Sequence, residues 1–264
     1  MTVETGGRQQ APPILELRKV SKSFGAVQVL YDVDFHVAPG EVMALVGDNG
    51  AGKSTLIKCI AGIHPFDEGE VVFEGSPVNI HGPKDSARLG IEVVYQDLAL
   101  ADNLDVVQNM YLGREQVSRI VLDEPTMEQN ARKTLDSLSV TTLRSVRQAV
   151  AGLSGGQRQA VAVAKAVMWN SKVVILDEPT AALGVAQTKQ VLDLVARLGE
   201  QGLAVILISH NLHDIFQVAD GITVLRLGQN VSEFRRKETN QQEVVEAITA
   251  GQLSKVPGQQ EALA

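Results

Sequence analysis

Nine consecutive residues, Gly47-Asp48-Asn49-Gly50-Ala51-Gly52-Lys53-Ser54-Thr55, restrict this chain more than any other stretch. Ahead of them Val42-Met43-Ala44-Leu45-Val46 is a short apolar run, the composition of a strand buried on both faces. After them Leu56, Ile57, Ile60 and Ala61 recur at helical spacing. The pattern predicts strand, glycine-rich loop and helix, the setting in which GxxxxGK[ST] carries chemical meaning. Glycines let backbone N–H groups turn inward around phosphate oxygens, and a helix opening near Lys53 adds unpaired donors and the positive end of its dipole. A lysine at Lys53 suits the β- and γ-phosphates of a nucleotide, and the Ser54 hydroxyl suits Mg²⁺. The expected fold class is therefore α/β, a P-loop NTPase core with a mainly parallel sheet flanked by helices.

With 264 residues, 44% of them hydrophobic, the chain has length for one large domain or two small ones. A formal charge of −7 argues against a general nucleic-acid binder. The single cysteine, Cys59, falls on an apolar stretch of the expected helix and reads as a reduced core residue. Residues 1–13 are polar with no apolar h-region, so neither a signal peptide nor an anchor is expected, and the chain reads as cytosolic. Apolar runs such as Leu203 to Ile208 are strand-sized, far below the roughly 20 residues of a membrane span. Work at a membrane would need spanning helices from another chain.

From Ile14 to Val37 loose alternation around Phe24-Gly25 predicts an antiparallel piece, with Phe24 placed on its turn side. Phe24 reads equally as an adenine-stacking face or as an ordinary hairpin aromatic. A short hairpin follows around Gly75-Ser76-Pro77, and His64 and His81 in these loops read as surface histidines. Pro83 suits the first position of a helix to Leu89, and Ile91 to Tyr95 then forms a strand that delivers Gln96. A glutamine there reaches a metal or a nucleophilic water. Residues 104 to 168 look helical, an insertion between strands in which Met127, Ala131, Leu135 and Leu138 keep one face. Within it Leu122-Asp123-Glu124-Pro125-Thr126 nearly repeats the later Leu176-Asp177-Glu178-Pro179-Thr180. Because an amphipathic helix follows directly, Asp123 and Glu124 read as helix-start acids.

Leu153-Ser154-Gly155-Gly156-Gln157 runs into another helix, and Ser154 with Gln157 is a capping-box signature. Two glycines in a first turn weaken that helix, so their lack of Cβ points to close approach of other groups. A helix start with bare N–H groups is a second anion site. Val173 to Leu176 is the next buried strand and ends in Asp177-Glu178. Placed beside the loop strand, it would set Asp177 near Mg²⁺ and Glu178 near the γ-phosphate, where a carboxylate orients or deprotonates water. Val191, Leu194, Val195 and Leu198 mark an amphipathic helix that Gly202 ends. Leu203 to Ile208 is a third buried strand, and His210 leaves it on the same edge as the acids, placed to sense a γ-phosphate. Val244, Val245 and Ile248 give one more helical face near the end.

These residues in this order resemble the ATP-binding subunits of ABC transporters: Walker A at 47–55, Gln96, the LSGGQ signature at 153–157, Walker B at 173–178 and His210. The likeness covers about residues 14 to 250. It implies the ABC ATPase architecture, with ATP and Mg²⁺ held by the loop, Ser54, Gln96 and Asp177, and with Glu178, His210 and Gln96 serving hydrolysis. It also implies that two subunits pair head to tail, so that Ser154, Gly155, Gly156 and Gln157 of one close over the ATP of the other. The helical insertion resembles the segment that docks on a membrane partner. More narrowly, Gly90-Ile91 to Gln96, Asn109 to Glu115, Thr180 to Val185 and Ile208 to Asn211 are similar to the simple-sugar importers of the ribose, xylose and fructose group, in their single-module branch. Gly184 stands where ABC subunits generally have aspartate, and Lys165 where arginine is more common.

The expected domain spans 14–251, with an ATP-binding core at 14–96 and 166–239, a helical signature subdomain at 97–165, and flexible termini at 1–13 and 252–264. The expected function is ATP hydrolysis that powers uptake of a simple sugar. The subunit would work as a homodimer or with a second ATPase subunit, peripheral on the cytoplasmic face of the membrane. Its partners would be integral permease subunits and, indirectly, a sugar-binding protein, with no nucleic acid. The alternatives are a non-hydrolysing nucleotide-binding partner, and an ATPase serving a non-sugar ABC substrate. A soluble two-module ABC protein and a small-molecule kinase fit less well, since no coiled coil or basic arm is visible and a kinase has no use for LSGGQ.

Overall fold

A computed structural model describes residues 12–250; the flexibility expected of 1–11 and 252–264 concerns residues outside this range. The chain opens with β1 (Leu15–Phe24), β2 (Val27–Val37) and β3 (Val42–Val46), and α1 (Lys53–Ile60) follows the glycine-rich loop. Next come β4 (Glu68–Phe73), β5 (Ser76–Val78), α2 (Pro83–Leu89) and β6 (Ile91–Val94). The insertion contains α3 (Val106–Tyr111), β7 (Val117–Ser118), β8 (Val121–Leu122) and α4 (Glu124–Ser137), and leads into α5 (Gly155–Val167). The chain returns through β9 (Val173–Asp177), α6 (Val185–Glu200), β10 (Ala204–Ile208), α7 (Leu212–Val218), β11 (Gly221–Arg226), β12 (Gln229–Arg235) and α8 (Gln241–Ala250).

The main sheet has the order β12-β11-β3-β10-β9-β6, parallel throughout except where β12 runs back along β11. Its central strands are continuous apolar runs because both faces are covered. Val42, Ala44 and Val46 face one core while Met43 and Leu45 face the other, and Val205/Leu207 alternate with Ile206/Ile208 in the same way. Alternation of side chains across a strand makes this split obligatory. The second sheet, β2-β1-β4-β5, is antiparallel and packs on the core that also holds α1 residues Leu56, Ile57 and Ile60. A leucine buried to this degree contributes about 2 kcal/mol.

One expectation about the sheet needs correction. The strand ending in Asp177 does not lie beside the loop strand: β10 runs between β3 and β9 and pairs in parallel with both. Four strand ends, those of β3, β10, β9 and β6, therefore form the floor on which the site is built. The 104–168 stretch is also not helical throughout. It contains the exposed two-residue strands β7 and β8 and irregular chain between α4 and the short 3₁₀ turn at Val150–Gly152. Its helices share a core with the sheet, with Met110, Tyr111, Met127, Leu135 and Val161 in the same cluster as Val46 and Leu176.

Candidate active site

The loop after β3 is fixed by groups that the local sequence does not announce. Gly228 N–H donates to Ala51 O (3.0 Å) and Tyr31 N–H to Gly228 O (2.8 Å), so the β11–β12 turn and β2 brace the loop from behind. A Cβ on Gly47 would stand 2.1 Å from Leu225 O, and Gly47 has φ +149, so glycine is required there by space and by backbone together. Gly52 begins α1 at φ 105 without a side-chain cap, leaving the first-turn N–H groups directed into the cleft for an anion.

That cleft, about 300 Å³, is lined by Asn49 to Thr55 together with Gln96, Asp177, Glu178, Ile208 and Val29. The ends of β3, β6, β9 and β10 thus deliver their polar residues to one place. Lys53 Nζ donates to Gly47 O (2.6 Å) and Asp48 O (3.0 Å), folding the cation back over its own loop. Burial pulls the Lys53 ammonium below its ordinary value, opposed by Glu178, Asp48 and Asp177. Burial likewise pushes the Asp177 carboxyl up, the neighbouring Glu178 adds to this, and Lys53 opposes it. Two acids and one lysine in a half-buried cleft leave the charges incompletely matched, which favours an added cation bound to an added polyanion.

Glu178 takes a left-handed backbone conformation, φ 50, a strain of roughly 1–2 kcal/mol for a residue with a Cβ. Its N–H donates to Ile208 O (2.9 Å), which pins the turn after β9 to the end of β10. His210, just beyond β10, contacts Glu178 Oε2 through Nδ1 at 2.8 Å, and Glu178 is largely covered while His210 is exposed. Thr180 Oγ1 donates to the buried Asp214 on α7 (2.7 Å), holding the next residues of the same segment. Nothing in the local sequence marks Asp214, nor Val29, which is one apolar residue among several on β2. Tyr95 was likewise missed; burial and then Asp177 raise its phenol above the ordinary value.

The remaining expected residues fall elsewhere. Phe24, at the end of β1, packs edge-on against His64 (ring centroids 5.0 Å) with Lys22 Nζ 5.5 Å from its ring. It is not among the residues lining the cleft, whose nearest wall from this sheet is Val29. Ser154 caps α5: its N–H donates to Gln157 Oε1 (2.9 Å) and Gln157 N–H to Ser154 Oγ (3.4 Å), while Gln157 Nε2 donates to Thr142 O (2.6 Å). The groups crowding the two glycines belong to the same chain. A Cβ on Gly155 would lie 2.8 Å from Leu183 Cδ2, and one on Gly156 3.2 Å from Gln187 Cβ. Gln187 Oε1 in turn accepts from Gly184 N–H (3.4 Å) at the start of α6. Asp123, in the near-repeat, caps α4 by accepting from Thr126 N–H (3.2 Å), and Glu124 pairs with Arg147. Lys165 lies near Arg114 and Glu92, its ammonium lowered by burial and by Arg114.

Comparison with known proteins places this geometry. The ABC transporter family model matches residues 30–181. The xylose/arabinose import ATP-binding protein of Sulfolobus acidocaldarius is 47% identical over 92% of this chain and 96% of its own length. The fructose import ATP-binding protein of Rhizobium meliloti is 45% identical over 90% and 94%. A ribose import ATP-binding protein of Yersinia pestis is 39% identical over 92% of the chain, which spans only 47% of that relative. Among solved structures, an ATP-binding cassette of an ABC transporter in its ADP conformation superposes with a TM-score of 0.78 at 28% identity, covering 90% of this chain and 96% of that one. A nucleotide-free cassette gives 0.78 at 26%, over 90% and 96%. The chain therefore belongs to the ABC transporter family, as an ATP-binding subunit that hydrolyses ATP.

Proposed function

We propose that this subunit powers uptake of a simple sugar, working as a pair with membrane-spanning permease subunits on the cytoplasmic side of the membrane. The observation that carries the catalytic part is the convergence of Lys53, Asp177 and Glu178 on one cleft, with Glu178 clamped to His210. The sugar part rests on the import relatives, which span pentose and fructose systems.

Ser54, Gln96 and Asp177 offer hydroxyl, amide and carboxylate oxygens, a donor set that fits a hard divalent cation such as Mg²⁺. Burial and the neighbouring Glu178 raise the Asp177 carboxyl, and a cation bound beside it would favour the ionised form. Bound there, Mg²⁺ would neutralise charge on the β- and γ-phosphate oxygens. The chain's own residues do the rest. Lys53 leaves Gly47 O and Asp48 O to meet the phosphates, and the uncapped start of α1 supplies N–H donors. Glu178, oriented by His210 Nδ1, holds the attacking water and draws its proton, while Gln96 positions that water from the end of β6. Phe24, at the end of β1 and outside the cleft lining, offers its ring to an adenine that extends beyond the phosphate cleft. The Ser154–Gln157 helix start is absent from the Lys53 cleft lining, and it serves the γ-phosphate of a partner's ATP; this head-to-tail arrangement makes the active form a dimer.

The test is the solution mass of Glu178→Gln with and without MgATP, with Lys53→Ala as control. An ATP-dependent dimer is expected from the first variant and none from the second. A Glu178→Gln chain that binds ATP as a monomer would overturn the self-sufficient pair. Uptake of labelled ribose, xylose and fructose by cells lacking the subunit, restored by the wild type and not by Glu178→Gln, tests the sugar reading. Unchanged uptake of all three on deletion would sink it.

A further inference from the structure

Asp214 is a buried carboxylate, 3% exposed, with no role in the hydrolysis described above. It lies in the first turn of α7, where the helix dipole favours an acid, and among the described residues no ion pair reaches it. Its Oδ2 accepts from Thr180 Oγ1 at 2.7 Å. An apolar side chain would fill the same place without the desolvation cost of a carboxylate, so packing alone does not explain an acid there.

Thr180 stands on the turn after β9, in which Glu178 (φ 50) and Ala182 (φ 59) both take the left-handed conformation. Residues with a Cβ keep that conformation only where surrounding contacts fix it. Within the turn Ala181 N–H donates to Glu178 O (3.1 Å) and Leu183 N–H to Thr180 O (3.3 Å), bonds that move with the turn itself. Besides the Glu178–His210 contact, two bonds tie the turn to the chain leaving β10: Glu178 N–H to Ile208 O (2.9 Å) and Thr180 Oγ1 to Asp214 Oδ2. They bracket His210, whose neighbour Asn211 caps α7 by accepting from His213 N–H (3.1 Å). The His210 side chain is 76% exposed, so these anchors rather than packing keep its Nδ1 2.8 Å from Glu178 Oε2.

We propose that Asp214 is a positioning residue for ATP hydrolysis: through Thr180 Oγ1 it holds the turn after β9 so that Glu178 meets both His210 and the cleft, a role that rests on the part given to Glu178 above. Neither Asp214 nor Thr180 lines the Lys53 cleft. The loop that holds the phosphates is braced separately, by Gly228 and Tyr31. Loss of the Thr180–Asp214 bond should therefore lower kcat and leave the KM for ATP in place.

The experiment measures steady-state ATP hydrolysis by the full chain for Thr180→Val, Thr180→Ser, Asp214→Ala and the double variant of Thr180→Val with Asp214→Ala, with Glu178→Gln alongside. Thr180→Val keeps the shape and removes the donor; kcat should fall about tenfold with KM changed by less than about twofold. Thr180→Ser keeps the donor and should stay within about twofold of the wild-type kcat. The double variant should be no slower than the slower single one, because the same bond is lost in each. Rates are taken per folded molecule, with thermal midpoints read for every variant, since Thr180→Val leaves a buried carboxylate unpaired. If Asp214→Ala does not fold, Thr180→Val and Thr180→Ser decide between them. An unchanged kcat in Thr180→Val, a Thr180→Ser chain as slow as Thr180→Val, or losses that multiply in the double variant overturns the positioning role. Hydrolysis at the wild-type rate by Glu178→Gln sinks the catalytic reading of Glu178 and this role with it, whereas an inactive Glu178→Gln beside an unimpaired Thr180→Val sinks this role alone.

Discussion

Asp177 is the residue whose protonation reports most directly on the cleft. Its folded-state value is raised above the ordinary 3.8, chiefly by burial. A raised carboxyl binds more protons folded than unfolded, so the protein loses stability as pH climbs from 3.8 through the folded value, and the penalty is complete above it. Asp177→Asn should therefore raise the thermal midpoint of the nucleotide-free protein near neutral pH, with the gain fading as pH falls toward 3.8, while ATP hydrolysis is abolished. Melts across that pH range check the sign; an equal gain at every pH would contradict it. Cys59 makes a second residue-scale case, buried with its thiol pushed up to about 11 by desolvation. Little thiolate forms below that value, so an alkylating reagent at pH 8 should label the unfolded chain and spare the native one, as read by intact mass.

Glycines show how an element can depend on groups distant in sequence. Gly47 and Gly50 both have positive φ, but a Cβ on Gly47 meets the Leu225 carbonyl, whereas one on Gly50 meets nothing within 4 Å. Gly50→Ala should cost only backbone strain, about 1 kcal/mol, and Gly47→Ala several times that, with loss of nucleotide binding. Denaturant titrations and ATP-binding assays distinguish the two. The loop itself was legible from GxxxxGK[ST] between two periodic segments; the carbonyl that forbids a methyl at its first position lies 178 residues away by number (225 − 47) and leaves no local mark. Gly155 and Gly156 teach the same lesson, since close approach was readable and the identity of Leu183 and Gln187 was not. The near-repeat at Leu122 to Thr126 was separable from Leu176 to Thr180 because no apolar strand of sufficient length precedes it.

Across the whole molecule, the helices of the insertion and the main sheet bury their apolar faces in one cluster. The chain should then unfold as one unit. Trp169, its single tryptophan, packs edge-on against Tyr111 (centroids 5.4 Å) with Arg114 5.2 Å from its ring, and Arg114 pairs with Glu92 of β6 (2.9 Å). Its fluorescence thus reports on the seam between insertion and sheet. Tryptophan emission and far-UV circular dichroism should trace one coincident transition on heating. Separate midpoints would mean that the insertion opens on its own.

The sequence by itself determined the local units: the loop and the helix it starts, the doubly buried strands ending in Asp177 and before His210, and the capped start at Ser154. Each depends on periodicity, glycine or capping chemistry within a few residues, which a linear string displays. Tertiary structure decided that β10 separates β3 from β9, that His210 grips Glu178, that Asp214 holds Thr180, and that Val29 rather than Phe24 walls the cleft. Those facts follow from which apolar faces pack together, a choice made by the whole core at once, so no single segment carries their signature.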